Sequence, residues 1–287
     1  MSRNESADVE LVGLAVEASQ PSGAAVGIVD DASEGAAVML GKRVLVGPTD
    51  PCGQCEVCRR GGAAVCAQAT PRGAVGARLR VASRWVVALE AGLELPLPAA
   101  AAVAGDVTTA YTLYARTGLG PREPVVVLGA TAVTRFLVEI LRSKGITPTV
   151  IADDSDPAWR SWLLAKGAAV VGGSGDALVA SIGGAVSAQG MGNRPWRVIA
   201  TEASVVAQAA MLAGARATLT VLADRQASEL PPLPGELVAR EVTVIGVAGP
   251  HPDLIVEAAA LCVKGDIDLA GGVGDGRTFA RVIPTGA

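Results

Sequence analysis

The sequence has little that would suit it to a nucleic acid or a membrane. Its 24 Lys and Arg residues are outnumbered by 28 Asp and Glu, for a net charge of −4, and no basic run stands out. A nucleic-acid partner, which calls for a clustered positive face, is therefore not expected. No uninterrupted apolar stretch approaches the roughly 18–20 residues of a membrane helix. Residues 1–8 are polar and mixed in charge, unlike the basic-then-apolar order of a signal peptide. Histidine is nearly missing. The single one, His251, sits in Gly249-Pro250-His251-Pro252-Asp253, a turn that reads as a solvated loop before it reads as the seat of a catalytic base. Aromatic residues make up 3% of the chain while half of it is hydrophobic, so alanine and valine dominate whatever core it builds.

What is present is punctuation. Thirty-five glycines and seventeen prolines break the chain at short intervals, which suits an α/β protein with many tight connections. At 287 residues it is long enough for one large or two ordinary domains.

Four of the five cysteines, Cys52, Cys55, Cys58 and Cys66, fall within fifteen residues, separated by two, two and seven others. This is metal-ligand spacing. Four thiolates satisfy a tetrahedral Zn²⁺, and a C-x-x-C turn lets neighbouring sulfurs converge while backbone N–H groups solvate their charge. Gly53 and Gly61 stand where the chain must curl around the ion. With no open position left, such a site is structural. A pair of disulfides and an iron–sulfur centre are the other arrangements these residues permit. A thiolate-rich lobe fits a reducing compartment, hence the cytoplasm. Cys262, in an apolar helical stretch, reads as core.

The motif Cys52-Gly53-x-Cys55-x-x-Cys58-x-x-Gly61, followed by Cys66, resembles the structural-zinc lobe of the medium-chain dehydrogenase/reductase superfamily, the zinc-containing alcohol dehydrogenases. The resemblance implies a partly open, GroES-like β-barrel around the lobe, and residues 9–18, 24–30, 43–47 and 84–89 read as strands. It also implies a catalytic zinc, and here the sequence departs. Gly23 and Ala24 stand where the family has the His and Glu of its P-G-H-E segment, and there is no room for the loop that bears its Cys ligand. A third ligand position holds Asp106, for which the simpler role is N-cap of a helix starting at Val107 or Thr108. The alanine run 99–104 continues that helix towards Tyr114.

From Pro124 short apolar runs alternate with amphipathic stretches. Strands are expected at 125–128, 149–152, 168–171, 197–200, 217–222 and 242–247, with helices at 132–144 and 156–166. Such βαβ alternation builds a parallel sheet covered by helices, a Rossmann-type doubly wound domain. Where the family carries G-x-G-x-x-G, this chain reads Gly129-Ala130-Thr131-Ala132-Val133-Thr134. Only the first glycine remains. Thr131 puts a branched side chain where the backbone should approach a pyrophosphate, and Thr134 must push the helix off the strand or be accommodated under strain. Asp153 and Asp154 end the second strand at the offset of a ribose-binding acid, and the same run also suits a turn with an N-cap. Gly129 and Asp154 are thus the candidate cofactor contacts.

These pieces predict an α/β chain with a shortened N-terminal domain over 1–107 whose zinc lobe spans 50–67. A Rossmann-type domain follows over 108–267, and 268–287 returns to the first domain. The resemblance, broken at both sites of chemistry, implies a zinc-binding homologue that serves as a non-catalytic structural or regulatory subunit. The strand at 241–247 would join it to itself or to an intact dehydrogenase paralogue. The alternative is an NAD(P)-dependent oxidoreductase without catalytic zinc, acting on a small carbonyl, alcohol or acyl-CoA. Asp106, Thr108, Thr109 or Tyr111 would then polarise the substrate. A sensor of another nucleotide or an acyl-CoA is a third reading.

Overall fold

The computed structural model describes residues 10–19, 23–72, 76–89, 95–120, 123–151, 156–173, 175–189, 192–222, 235–269 and 283–284. The chain divides into two compact units, one formed by residues 1–108, 250–264 and 279–287, the other by residues 109–249 and 265–278.

The first unit is an antiparallel sheet. Its strands are β1 (Leu11–Ser19), β2 (Ala25–Ala32), β3 (Arg43–Val46), β6 (Arg78–Ala82) and β7 (Val86–Ala88), and a separate ribbon pairs β4 (Thr49–Asp50) with β5 (Thr70–Pro71). In β1 the side chains alternate, with Val12, Leu14, Val16 and Ala18 all buried. Period-two patterning thus places four apolar residues on one face. They meet Val29, Val44, Val46 and Val81 in a core made almost wholly of β-branched and small side chains. Gly27 is forced by proximity, since a Cβ there would lie 2.5 Å from the carbonyl oxygen of Ala15 on the neighbouring strand. Strand β6 was not anticipated. Its Arg78-Leu79-Arg80-Val81 carries exposed arginines on the outer face, and only antiparallel pairing with β1 shows it to be a strand. The strand expected at 84–89 begins instead at Val86, because Ser83–Trp85 forms a 3-10 turn.

A short helix α1 (Glu56–Arg59) lies in the cysteine lobe, and α2 (Leu97–Ala102) begins a helical run that passes through a π-turn at Val103–Val107 into α3 (Thr108–Thr117). Asp106 is therefore not the N-cap expected of it. It lies inside that run, where the carbonyl of Val103 accepts from both the N–H and the hydroxyl of Thr108, five residues on, which is the wider π-type spacing. Gly118, at φ +64°, ends the run.

The second unit is the parallel sheet. It holds β8 (Val125–Leu128), β9 (Pro148–Ile151), β10 (Ala169–Val171), β11 (Arg197–Ala200), β12 (Thr218–Leu222) and β13 (Thr243–Val247) in the spatial order β10-β9-β8-β11-β12-β13. Counted within the unit this is 3-2-1-4-5-6, the doubly wound order that reverses between its first and fourth strands. Helices α4 (Ala132–Ser143), α5 (Pro157–Ala165), α6 (Gly175–Ala188), α7 (Val206–Leu212) and α8 (Glu236–Ala239) make the crossovers. Strand β8 is buried at every position, as a central parallel strand must be. Helix α4 is buried from Val133 to Leu141, with Phe136 fully enclosed. Asp156 accepts from the N–H of Trp159 and caps α5.

Helix α9 (Ile255–Val263) belongs to the first unit, where it packs against the π-turn and buries Cys262. Strand β14 (Ile283–Pro284) pairs with the end of β1. No helix of the described residues is long and apolar enough to cross a membrane.

Within the second unit, α4 buries one carboxylate, Glu139. Lys166 Nζ approaches it to 2.6 Å and the N–H of Asp268 donates to it at 3.0 Å. Burial raises its pKa above the ordinary 4.5, and the Lys166 contact opposes but does not cancel this. The folded chain therefore keeps a proton that the unfolded chain releases, so this group's contribution to stability is full below about pH 4.5 and declines as pH rises through the folded pKa. Subtracting the melting temperature of Glu139→Gln from that of the unaltered protein should give a value that decreases from about pH 4 to pH 8. A difference that grows with pH would show that the lysine, and not burial, sets the balance.

Candidate metal centre and phosphate turn

The cysteine lobe is built by short-range turns. Gly53 and Gly61 hold φ of +69° and +81°, a region open to glycine at little cost. At Gly53 space is also short, because a Cβ would lie 2.0 Å from the guanidinium of Arg84. Cys55 caps α1, its sulfur accepting from the N–H of Cys58 at 3.4 Å, and Cys52 accepts from the N–H of Cys55 at the same distance. The lobe is anchored from outside by Trp85, whose Nε1–H donates to the carbonyl of Pro51 at 3.2 Å. Largely buried Arg72 donates to the carbonyl of Gly47 and to Asp50. Burial lowers the pKa of this guanidinium, with Asp50 opposing.

All four sulfurs lie within 4.8 Å of one another. The contacts Cys52–Cys66, Cys55–Cys66 and Cys52–Cys58 measure 3.5, 3.9 and 4.0 Å. A tetrahedron with Zn–S bonds of 2.3 Å has an edge of about 3.8 Å, so the donor set fits zinc in kind, number and spacing. None of the four is in a disulfide. N–H groups of Gln54 and then Cys55 lower the Cys52 pKa to about 6, while burial pushes Cys58 up to about 12. A cation that takes all four as thiolates must supply the charge that the buried Cys58 lacks. Among the described residues no other group of three or more His, Cys, Asp or Glu converges.

The remaining candidates do not form such a centre. Gly23 turns the chain at φ +90° and Ala24 is fully buried. Asp106 and Tyr111 are both half-buried, the Tyr111 ring 5.8 Å from that of Tyr114. Asp154 lies outside the described residues. His251 is not the solvated residue expected. Its side chain is only 13% exposed and Nδ1 lies 3.4 Å from Asp253.

The phosphate turn lies where the sheet order reverses, between β8 and β11. Gly129 holds φ +109°, and a Cβ there would fall 2.2 Å from the hydroxyl of Thr201, just after β11. Thr131 is the N-cap of α4 and forms a reciprocal capping box with Thr134, whose N–H donates to the Thr131 hydroxyl while the N–H of Thr131 donates to the Thr134 hydroxyl, both at 3.2 Å. Thr134, fully buried, sits 2.7 Å from the Thr201 hydroxyl, which donates to the carbonyl of Leu128 at 2.9 Å. The hydroxyls form one chain, Thr131 to Thr134 to Thr201 to Leu128. The third-glycine position thus takes its threonine through a hydrogen bond to the neighbouring strand's end.

One residue the sequence reading missed completes the turn. The N–H of Ala130 donates to the carboxylate of Glu202 at 3.2 Å. Nothing local marks Glu202. Only the strand order could have pointed to it, since the loops after the first and fourth strands of such a sheet meet where the order reverses.

Residues 10–91 match the family model of the alcohol dehydrogenase GroES-like domain. No curated protein matches the chain significantly. Among solved structures, an alcohol dehydrogenase from Thermus sp. ATN1 shares 18% identity over 90% of this chain and 83% of its own, with a TM-score of 0.77. A cobalt- and zinc-bound thermostable alcohol dehydrogenase from Pyrobaculum aerophilum shares 20% identity over 91% and 82%, with a TM-score of 0.71. An Escherichia coli alcohol dehydrogenase complexed with NADH shares 17% identity over 91% and 82%, also at 0.71. The fold is that of the medium-chain dehydrogenases, an antiparallel GroES-like half-barrel and a Rossmann-type parallel sheet.

If the cysteine lobe holds its ion as this geometry suggests, purified protein should carry about one zinc per chain by elemental analysis. Cys58→Ser should lose it and cost about 4 kcal/mol of stability. Equal metal content in the variant would count against the site.

Proposed function

We propose that this chain, which has the alcohol dehydrogenase fold, is a cytoplasmic zinc-binding protein that does not perform alcohol dehydrogenase chemistry and acts as a structural or regulatory subunit. Cys52, Cys55, Cys58 and Cys66 would hold the zinc, and four thiolates give the ion a bracing role with no position for a substrate. The ion would keep the lobe between β4 and β5 in one shape, as Arg72 and Trp85 do from its margins.

The observation that carries the non-catalytic reading is the state of the phosphate turn. A dinucleotide needs a bare backbone and free N–H groups at the start of α4. Here the N–H groups of Ala130, Thr131 and Thr134 are bonded to Glu202, Thr134 and Thr131. Such a turn does not fit NAD or NADP, and no step of a reaction is assigned to either. The catalytic-zinc positions add to this, with Gly23 and Ala24 unable to ligate a metal. Asp106 and Tyr111, the residues through which a metal-free reductase would act, lack a cofactor site to serve.

A subunit needs a joint, and β13 supplies one. It ends the parallel sheet and leaves Thr243, Val244 and Gly246 exposed. An apolar edge strand of this kind presents unpaired N–H and C=O groups to another chain. It would pair with a second copy or with an intact dehydrogenase.

Two measurements test this reading. Calorimetric titration with NADH and NADPH should show no binding up to about 1 mM, while micromolar affinity for either would sink the non-catalytic account. Native mass spectrometry of the protein purified from its own cells should find a dimer or a complex with a dehydrogenase. A lone monomer would remove the subunit role.

A further inference from the structure

We propose that Glu202 is an internal occupant of the phosphate turn, a carboxylate that takes the place of a dinucleotide's pyrophosphate and keeps the second unit closed to phosphate-bearing ligands. The proposal deepens the non-catalytic reading above and rests on it.

Three observations place the carboxylate there. Its Oε1 accepts from the N–H of Ala130, the first amide after the turn's glycine. The same oxygen lies 3.2 Å from where a Cβ on Gly129 would stand, so it lies over the glycine. The residue before it, Thr201, is held at the end of β11, where its N–H donates to the carbonyl of Leu128 at 3.0 Å and its hydroxyl donates to the same oxygen. The backbone from which Glu202 reaches the turn is thus placed by two parallel strands in register, Ala200 opposite Leu128.

The consequence is chemical. A helix of twelve residues begins two positions after Ala130 and offers its N-terminal partial charge to an anion. Glu202 is that anion. A pyrophosphate brought to the same N–H would meet a like charge at contact distance, and would lose the donors already held in the Thr131–Thr134 capping box. The neutral Thr131 side chain narrows the approach, but it is the charge on Glu202 that decides between ligands. A phosphate-bearing molecule is rejected, while the turn remains bonded and ordered without one.

The test compares unaltered protein with Glu202→Ala and Glu202→Gln, each with its zinc content and melting curve measured. Each is titrated with NADH and, as the smallest probe of the turn, inorganic pyrophosphate. Glu202→Gln keeps the size of the side chain, so it reports on charge even where the alanine variant fails to fold. The expected result is that folded variants bind both probes at least about ten-fold more tightly than the unaltered chain. Variants that fold and bind no better overturn the role of Glu202, and if the unaltered chain also fails to bind, the non-catalytic reading survives that loss. Micromolar NADH binding by the unaltered chain overturns both.

Discussion

A helix that starts in the middle of a protein has N–H groups that must be answered. At the start of α4, in the crevice where the parallel sheet reverses its order, the fold offers those groups to a ligand, and a dinucleotide's pyrophosphate is the answer the fold is built to accept. Around that start this chain answers the N–H groups of Ala130, Thr131 and Thr134 itself. Thr131 and Thr134 cap each other, Thr201 takes the hydroxyl of Thr134, and Glu202 takes the amide of Ala130. Each bond is a modest one of about 1 kcal/mol, and together they tie the turn to the end of β11. The turn is ordered without a partner.

The cysteine lobe is answered differently. Its four sulfurs converge to tetrahedral spacing with N–H groups already aimed at two of them, so a cation would complete what the local turns begin. One site thus has the spacing for an ion, and the other is bridged by the chain's own side chains. Under the proposed reading, a protein with this pair of properties would keep the scaffold and the brace of a dehydrogenase without its chemistry. The outer edge of β13, which among the described residues pairs only with β12, would give the proposed subunit its joint, because an open sheet edge is a means of joining another chain.

Much of this was legible without coordinates. The runs at 125–128, 197–200 and 242–247 are short and rich in valine and isoleucine, so their strands follow from local composition alone. The C-x-x-C spacing is equally local. Strand β6 was not legible, since exposed Arg78 and Arg80 hide its period and its identity comes from pairing with β1 more than sixty residues earlier. Asp106 misled for a related reason. An acid before threonine is a good N-cap signal, but the buried alanines of α2 extend the helix through it, and tertiary packing outweighs a cap worth about 1 kcal/mol.

The sequence by itself determined the cluster of four cysteines and the alternation that builds a parallel sheet, because both arise from residues within a few positions of each other. It also determined that the phosphate turn had lost two glycines. What that loss meant was decided by tertiary structure alone. Thr134 is accommodated because Thr201 reaches it, and Ala130 is occupied because Glu202 does, contacts that span 67 and 72 residues. Such pairs exist only once β8 and β11 lie side by side in register. Hydrogen bonds depend on distances of about 3 Å, and those distances are set by the sheet.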